Sequence, residues 1–168
     1  MDKQYVDNYS EILPIFKYGD PKMASQVSGD MDRSLEKAAK LIKLHSITVK
    51  PKYKKQPIPF LKRDKSFYNK PEYCEWVDDS YLMMGIANLY KHDFVKSASS
   101  FQYIINRFGE EPIVKDAKLW LARVHIEQEM YSEAENELKI LSKEKDLNKK
   151  FKKELDLSFA HLYLSQKN

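Results

Sequence analysis

Apolar residues between Trp76 and the C-terminus recur at spacings of three and four, the period of a helix with one buried face. This predicts helices over 76–91, 94–107, 114–129, 132–143 and 149–165, with connectors at 109–112 and 143–148. Upstream, Leu35, Ala38, Ala39 and Ile42 recur at helical spacing across 32–44. Arg33, Glu36, Lys37, Lys40 and Lys43 fall on the other face, and Asp30 or Asp32 suits the N-cap. Residues 9–16 read as extended, because Pro14 disfavours a helix at Leu13, and Gly19-Asp20-Pro21 marks a turn. Pro51, Pro57, Pro59 and Pro71 cannot continue a helix interior, so 50–73 is predicted to be a long loop.

The pattern then repeats. Gly85 and Ala122, Phe94 and Tyr131, Ser97 and Ala134, and Phe101 and Leu138 are each 37 positions apart. Phe159-Ala160-x2-Tyr163 begins a third copy, 38 positions after Ala122. A fixed offset between small and bulky residues is similar to the tetratricopeptide pattern, a helix-turn-helix unit of roughly 34 residues in which small side chains admit a close neighbour. The expected fold is therefore all-α, with tetratricopeptide-like hairpins stacked as a short right-handed solenoid. Its expected organisation is an extended segment plus a packing helix over 1–49, a Lys/Pro-rich loop over 50–75, and repeats over 76–168. Two of these repeats are full and the third is truncated or capping.

Composition narrows the function. With 42% hydrophobic residues, 12% aromatic residues and four glycines in 168 residues, the chain can bury a helical core. Four glycines could hardly build a phosphate-binding loop, and neither a nucleophile elbow nor a dinucleotide fingerprint occurs. His45, His92, His125 and His161 have no zinc-type partner; His125 occupies a packing slot of the repeat. Asp78 and Asp79 point about 100° apart on a helix and already suit its N-terminus electrostatically. The lone Cys74 excludes an internal disulfide. Catalytic, cofactor and metal sites are thus all expected to be absent. No stretch is apolar and long enough to span a bilayer, and Met1-Asp2-Lys3 opens no leader, so the expectation is a soluble chain, either cytoplasmic or a processed or trimmed fragment.

Two surfaces remain as binding candidates. If the hairpins stack, first helices line a groove whose expected residues are Asp79, Leu82, Ile86, Leu89, Tyr90, Asp116, Leu119, Arg123, Ile126, Leu157, His161 and Leu164. Its apolar character argues against a carboxylate clamp and for a protein or peptide partner, or an adjoining segment. The second is the loop. Net charge is +4 overall, but residues 50–65 carry seven basic side chains against one acidic, among them Lys52, Lys54, Lys55, Lys62 and Arg63 beside Tyr53. Basic plus aromatic residues serve single-stranded nucleic acid binders, yet docking or plain solvation accounts for the same residues better. No small-molecule substrate is expected.

Several motifs share an order with one family. Residues 12–20 (ILPIFKYGD), 30–38 (DMDRSLEKA), 45–47 (HSI) and 72–85 (EYCEWVDDSYLMMG) resemble the N-terminal region of the PorW/SprE-type tetratricopeptide lipoproteins of the type IX secretion and gliding machinery of Bacteroidetes. The resemblance covers roughly residues 9–141. It implies a non-enzymatic adaptor at the periplasmic face of the outer membrane, linking subunits of a secretion complex and held to the membrane only through a lipid anchor that this chain lacks. Departures are Asn88 where an aromatic is expected, Gly109 in place of Pro, and Cys74 deep in the folded region. The rival expectations are a cytoplasmic tetratricopeptide regulator that binds a peptide and a nucleic-acid module using the basic loop.

Overall fold

A computed structural model describes residues 14–46, 76–109 and 111–167. All regular structure among them is helical: a 3-10 turn at Lys17–Gly19, then α1 (Pro21–Gln26), α2 (Ser28–His45), α3 (Val77–Tyr90), α4 (Phe94–Phe108), α5 (Pro112–Glu127), α6 (Tyr131–Ser142) and α7 (Lys149–Ser165). From α3 onward every helix end lies within two residues of its sequence expectation. The expected 50–75 loop lies outside the described residues, as do its Lys52, Tyr53, Lys54, Lys55, Lys62 and Arg63.

The N-terminal part differs from expectation. The packing helix begins at Ser28 rather than 32, so Asp30 sits within its first turn instead of at its cap. A separate helix precedes it: Asp20 accepts a hydrogen bond from the Lys22 amide at 2.8 Å and Pro21 takes the first helical position, where its missing N–H costs nothing. Gly19-Asp20-Pro21 is therefore a helix start. Of the stretch expected to be extended, Phe16 has extended backbone, and the chain bends into the 3-10 turn directly after it.

Consecutive helices pack against one another from α2 to α7, and α3·α5 and α5·α7 also touch. The α3–α4 and α5–α6 turns are built alike. His92 and Glu129 both take positive φ, at 57° and 62°. Asp93 N–H donates to the Asn88 carbonyl at 2.9 Å, and Met130 N–H to the His125 carbonyl at 2.8 Å. Each bond satisfies a carbonyl that the helix end would leave unpaired. These pairs stand 37 positions apart, so the sequence offset is also an offset in backbone conformation.

The α5 helix is buried on several sides, and its residues divide into three stripes. Val114, Ala117, Leu121 and Val124 join Leu89 of α3, Phe101, Ile104 and Phe108 of α4, and Tyr18 of the 3-10 turn in one core. Leu119, Ala122 and Ile126 join Ala134, Leu138 and Leu141 of α6 and Phe151, Leu155 and Leu162 of α7 in a second. Spacings of three and four keep each set on one side of the helix. A smaller core of Val27, Met31 and Ala87 seats α2 on α3. No helix among the described residues is long and apolar enough to cross a membrane.

Candidate protein-binding groove

The third stripe of α5 is Trp120, Arg123 and Glu127, at i, i+3 and i+7. Arg123 and Glu127 belong to neither hydrophobic core, whereas Trp120 also packs against the first. Against this stripe lies the segment just before α1, carrying Phe16 and Tyr18. The bend from extended backbone at Phe16 into the 3-10 turn sets their rings in a stack, 5.2 Å apart with planes at 8°. Tyr18 is only 1% exposed and packs edge-on to Tyr90 of α3 at 5.6 Å, near Trp120 at 6.1 Å and edge-on to His161 of α7 at 6.2 Å. Phe16 meets His161 edge-on at 5.3 Å. This aromatic turn thus lies across the first helices of the hairpins.

Arg123 holds this region together. It is 2% exposed, and its guanidinium is hydrogen-bonded through Nε and Nη2 and covered by two rings. Nε donates to Ser158 Oγ at 2.9 Å; Nη2 donates to the Glu154 carbonyl at 3.1 Å and to Glu154 Oε2 at 2.8 Å. The Phe16 ring lies 4.2 Å from the guanidinium carbon and the Trp120 ring 4.6 Å. Arginine suits this role because its planar, weakly hydrated cation stacks on rings while its N–H groups reach acceptors in the plane.

Beside it lies a less well-paired cluster. Glu127 Oε1 and His161 Nε2 are 3.3 Å apart, yet Oε1 makes no hydrogen bond within the protein, and neither do His161 Nδ1 and the Tyr18 hydroxyl. Burial raises the Glu127 pKa from 4.5 to about 7. Burial, aided by the Arg123 charge, lowers that of His161 from 6.5 to about 4. Both shifts have the same origin, since an apolar cover penalises whichever form is charged. Burial likewise pushes the Tyr18 phenol well above its usual value. A carboxyl near neutrality beside an imidazole is an acid–base arrangement, but Phe16, Tyr18 and Gly19 lie against it.

Of the expected groove residues, Arg123 and His161 lie against the segment, and Tyr90 reaches Tyr18. Leu82 and Ile86 pack, half-buried, on the first core. Leu89, Leu119 and Ile126 are not groove residues; they are buried between helices, 0–3% exposed. The cause is a shift of one position along α5, where Trp120 and Glu127 occupy the stripe assigned to Leu119 and Ile126. Leu164 is 52% exposed, Leu157 is half-buried, and Asp79 is exposed at the start of α3. Asp116 opens onto a cleft of about 380 Å³ between α5 and α7, lined also by Trp120, Arg123, Lys150, Phe151 and Glu154. His125, half-buried, bonds Glu137 across the α5–α6 hairpin at 2.9 Å.

Phe16, Tyr18, Trp120, Glu127, Glu154 and Ser158 are additions that the sequence pattern did not single out. A signal existed for most of them: 120, 123 and 127 follow the helical period, as do 154, 158 and 161. Among the described residues no cluster of three metal-ligating side chains forms. The chain matches no family model and no curated protein.

Proposed function

We propose that this chain is a non-enzymatic helical-repeat scaffold of the tetratricopeptide type, its hairpins stacked in a short right-handed solenoid that binds protein segments across its first helices. One observation carries this reading: α3, α5 and α7 together hold an aromatic turn, Phe16 and Tyr18, by ring packing and a buried arginine. Repeat arrays present such surfaces because each unit places its first helix beside the last. The resemblance of residues 9–141 to the PorW/SprE-type lipoproteins supports a place in the type IX secretion machinery, at the periplasmic face of the outer membrane, contacting other subunits.

The test is site-specific photocrosslinking in the native cell from Met83 and Leu164, which are 49% and 52% exposed on α3 and α7. Arg123 and Ile126 are too buried to report on a partner. Recovery of outer-membrane and periplasmic secretion components is the expected result. If the captured proteins are all cytoplasmic, the envelope assignment falls and a cytoplasmic peptide-binding regulator replaces it.

A further inference from the structure

We propose that the turn bearing Phe16 and Tyr18 is an intramolecular stand-in for a partner's segment carrying two aromatic residues one position apart, and that such a partner displaces it. This rests on the scaffold reading above and names the chemistry of what the groove takes.

The docked segment itself defines the ligand. Its first ring covers the Arg123 guanidinium at 4.2 Å, and its second enters the slot between Tyr90, Trp120 and His161. The two rings reach these places as a stacked pair, 5.2 Å apart, because extended backbone at Phe16 gives way to a single 3-10 turn. Both rings contact the groove, and Gly19 is not required, since a Cβ there would sit 3.6 Å from Glu127 Oε1, an ordinary contact. The recognised feature is therefore two aromatic residues one position apart at the start of a turn.

Two features make the stand-in replaceable. First, although Tyr18 belongs to the first core and Phe16 packs on it, α1 and α2 have anchors of their own. The α1 helix carries its own cap at Asp20, and Val27 and Met31, 0% and 1% exposed, fix α2 on α3. The segment's own turn closes internally, Gly19 N–H to the Phe16 carbonyl at 3.1 Å. Second, the fit is imperfect. The Tyr18 hydroxyl, Glu127 Oε1 and His161 Nδ1 are buried without a hydrogen bond in the protein, each at a desolvation cost that a better ligand would recover. A partner that supplies a donor to Glu127 or His161 gains what the tethered segment forgoes. Tethering raises the local concentration of the stand-in to the order of millimolar, so a free competitor binds an occupied groove weakly.

The two tryptophans allow a direct test. Trp76→Phe leaves Trp120, inside the groove, as the sole tryptophan reporter of the full chain. The probe is a synthetic peptide of residues 14–20. It is titrated into Trp76→Phe and into Trp76→Phe with Phe16→Ser and Tyr18→Ser, whose folding is verified by circular dichroism. The opened chain is expected to bind saturably with a blue shift of Trp120, at least about tenfold more tightly than the closed chain. A peptide with both aromatics replaced by alanine is expected not to bind. Failure of the folded, opened chain to bind overturns the proposal while leaving the scaffold reading to its crosslinking test. So does binding that ignores the aromatics, or self-association of the opened chain that the peptide does not reverse. If the opened chain does not fold, a spin label at Ile15→Cys in a Cys74→Ser chain serves instead. Excess peptide must then mobilise the label, and an unchanged spectrum overturns the proposal.

Discussion

The interior of the α3–α4 hairpin and the groove across the first helices are both rich in aromatics, but they treat polar atoms in opposite ways. Inside the hairpin, Ser97 is fully buried, and its hydroxyl donates to the Gly85 carbonyl at 2.8 Å. Phe101 is fully buried against Gly85, where even a methyl group would fall 2.4 Å from the ring. In the groove, three buried polar atoms have no hydrogen-bond partner in the protein, and Phe16 is only half-buried. Among the described residues the hairpin's one buried unpaired atom, His92 Nε2, lies at its turn and not in this interior. Paired groups specify one arrangement, whereas unpaired ones tolerate exchange. On the proposal above, the hairpin interior sets the fold and the groove is where a contact is exchanged.

The sharpest test of that difference is a pair of truncations. Phe101→Ala removes a ring from a filled core and is expected to cost about 3–5 kcal/mol. Phe16→Ala removes a half-buried ring that touches Tyr18, His161 and the Arg123 cation, and about 1–2 kcal/mol is expected. Urea denaturation monitored by circular dichroism measures both. Equal costs would mean that the segment is as much part of the core as α4.

The second test is electrostatic and works by unmasking. Glu127 has its pKa raised on folding, from 4.5 to about 7, so its contribution to stability is full below 4.5 and is lost as pH rises through 7. His161 has its pKa lowered, from 6.5 to about 4, so its contribution is present above 6.5 and is lost as pH falls through 4. Between pH 4.5 and 6.5 the two slopes oppose, and the intact chain is expected to show little net dependence from this pair. Replacing one partner exposes the other. His161→Leu should make stability fall by up to roughly 3 kcal/mol as pH rises from about 4.5 to about 7. Glu127→Gln should make it fall by a similar amount as pH drops from about 6.5 to about 4. Tyr18, Arg123 and Glu154 are the other charged or titratable groups facing this pair, and the phenol and guanidinium keep their charge states throughout that window. Thermal melts across the same range read the slopes. If both variants stay flat, the cluster is more hydrated than its burial implies, and the contrast with the hairpin weakens.

The same contrast decides how much of the molecule was legible in the sequence. Hairpin boundaries were legible because helix ends depend on local signals, and the 37-residue offset recurred in small and bulky side chains alike. The α1 helix was not, because its six residues carry no apolar period, only Asp20 and Pro21 at its start. The groove was misassigned because α5 has buried residues on several sides, and periodicity alone does not say which stripe meets which neighbour. Leu119 and Ile126 looked like a face because they are apolar. Arg123 and Glu127 form the stripe that meets the Phe16–Tyr18 turn, and buried charge is the rarer pattern, visible only once Glu154, Ser158 and His161 are brought beside it.

The smallest effect tests whether the two hairpins solve one packing problem with different pairs of residues. At equivalent slots the first hairpin sets Gly85 against Phe101, and the second has Ala122 and Leu138, all four of them buried. Gly85→Ala places a Cβ 2.4 Å from Phe101 Cε1 and 2.6 Å from Cζ, so the ring must move. Overpacking of this kind costs about 1–3 kcal/mol. Alanine recovers about 1 kcal/mol of helix propensity, which leaves a net loss of roughly 1–2 kcal/mol. Phe101→Leu alone is expected to destabilise by losing ring contacts. Combined with Gly85→Ala, it recreates the second hairpin's pair, and the new methyl fills space that the ring vacated. The double variant should therefore be more stable than the sum of the single losses by about 1 kcal/mol, within the range of contacting residues. Additive losses would show that Gly85 is required by something other than the Phe101 ring, and that the repeat slots are equivalent in spacing but not in packing.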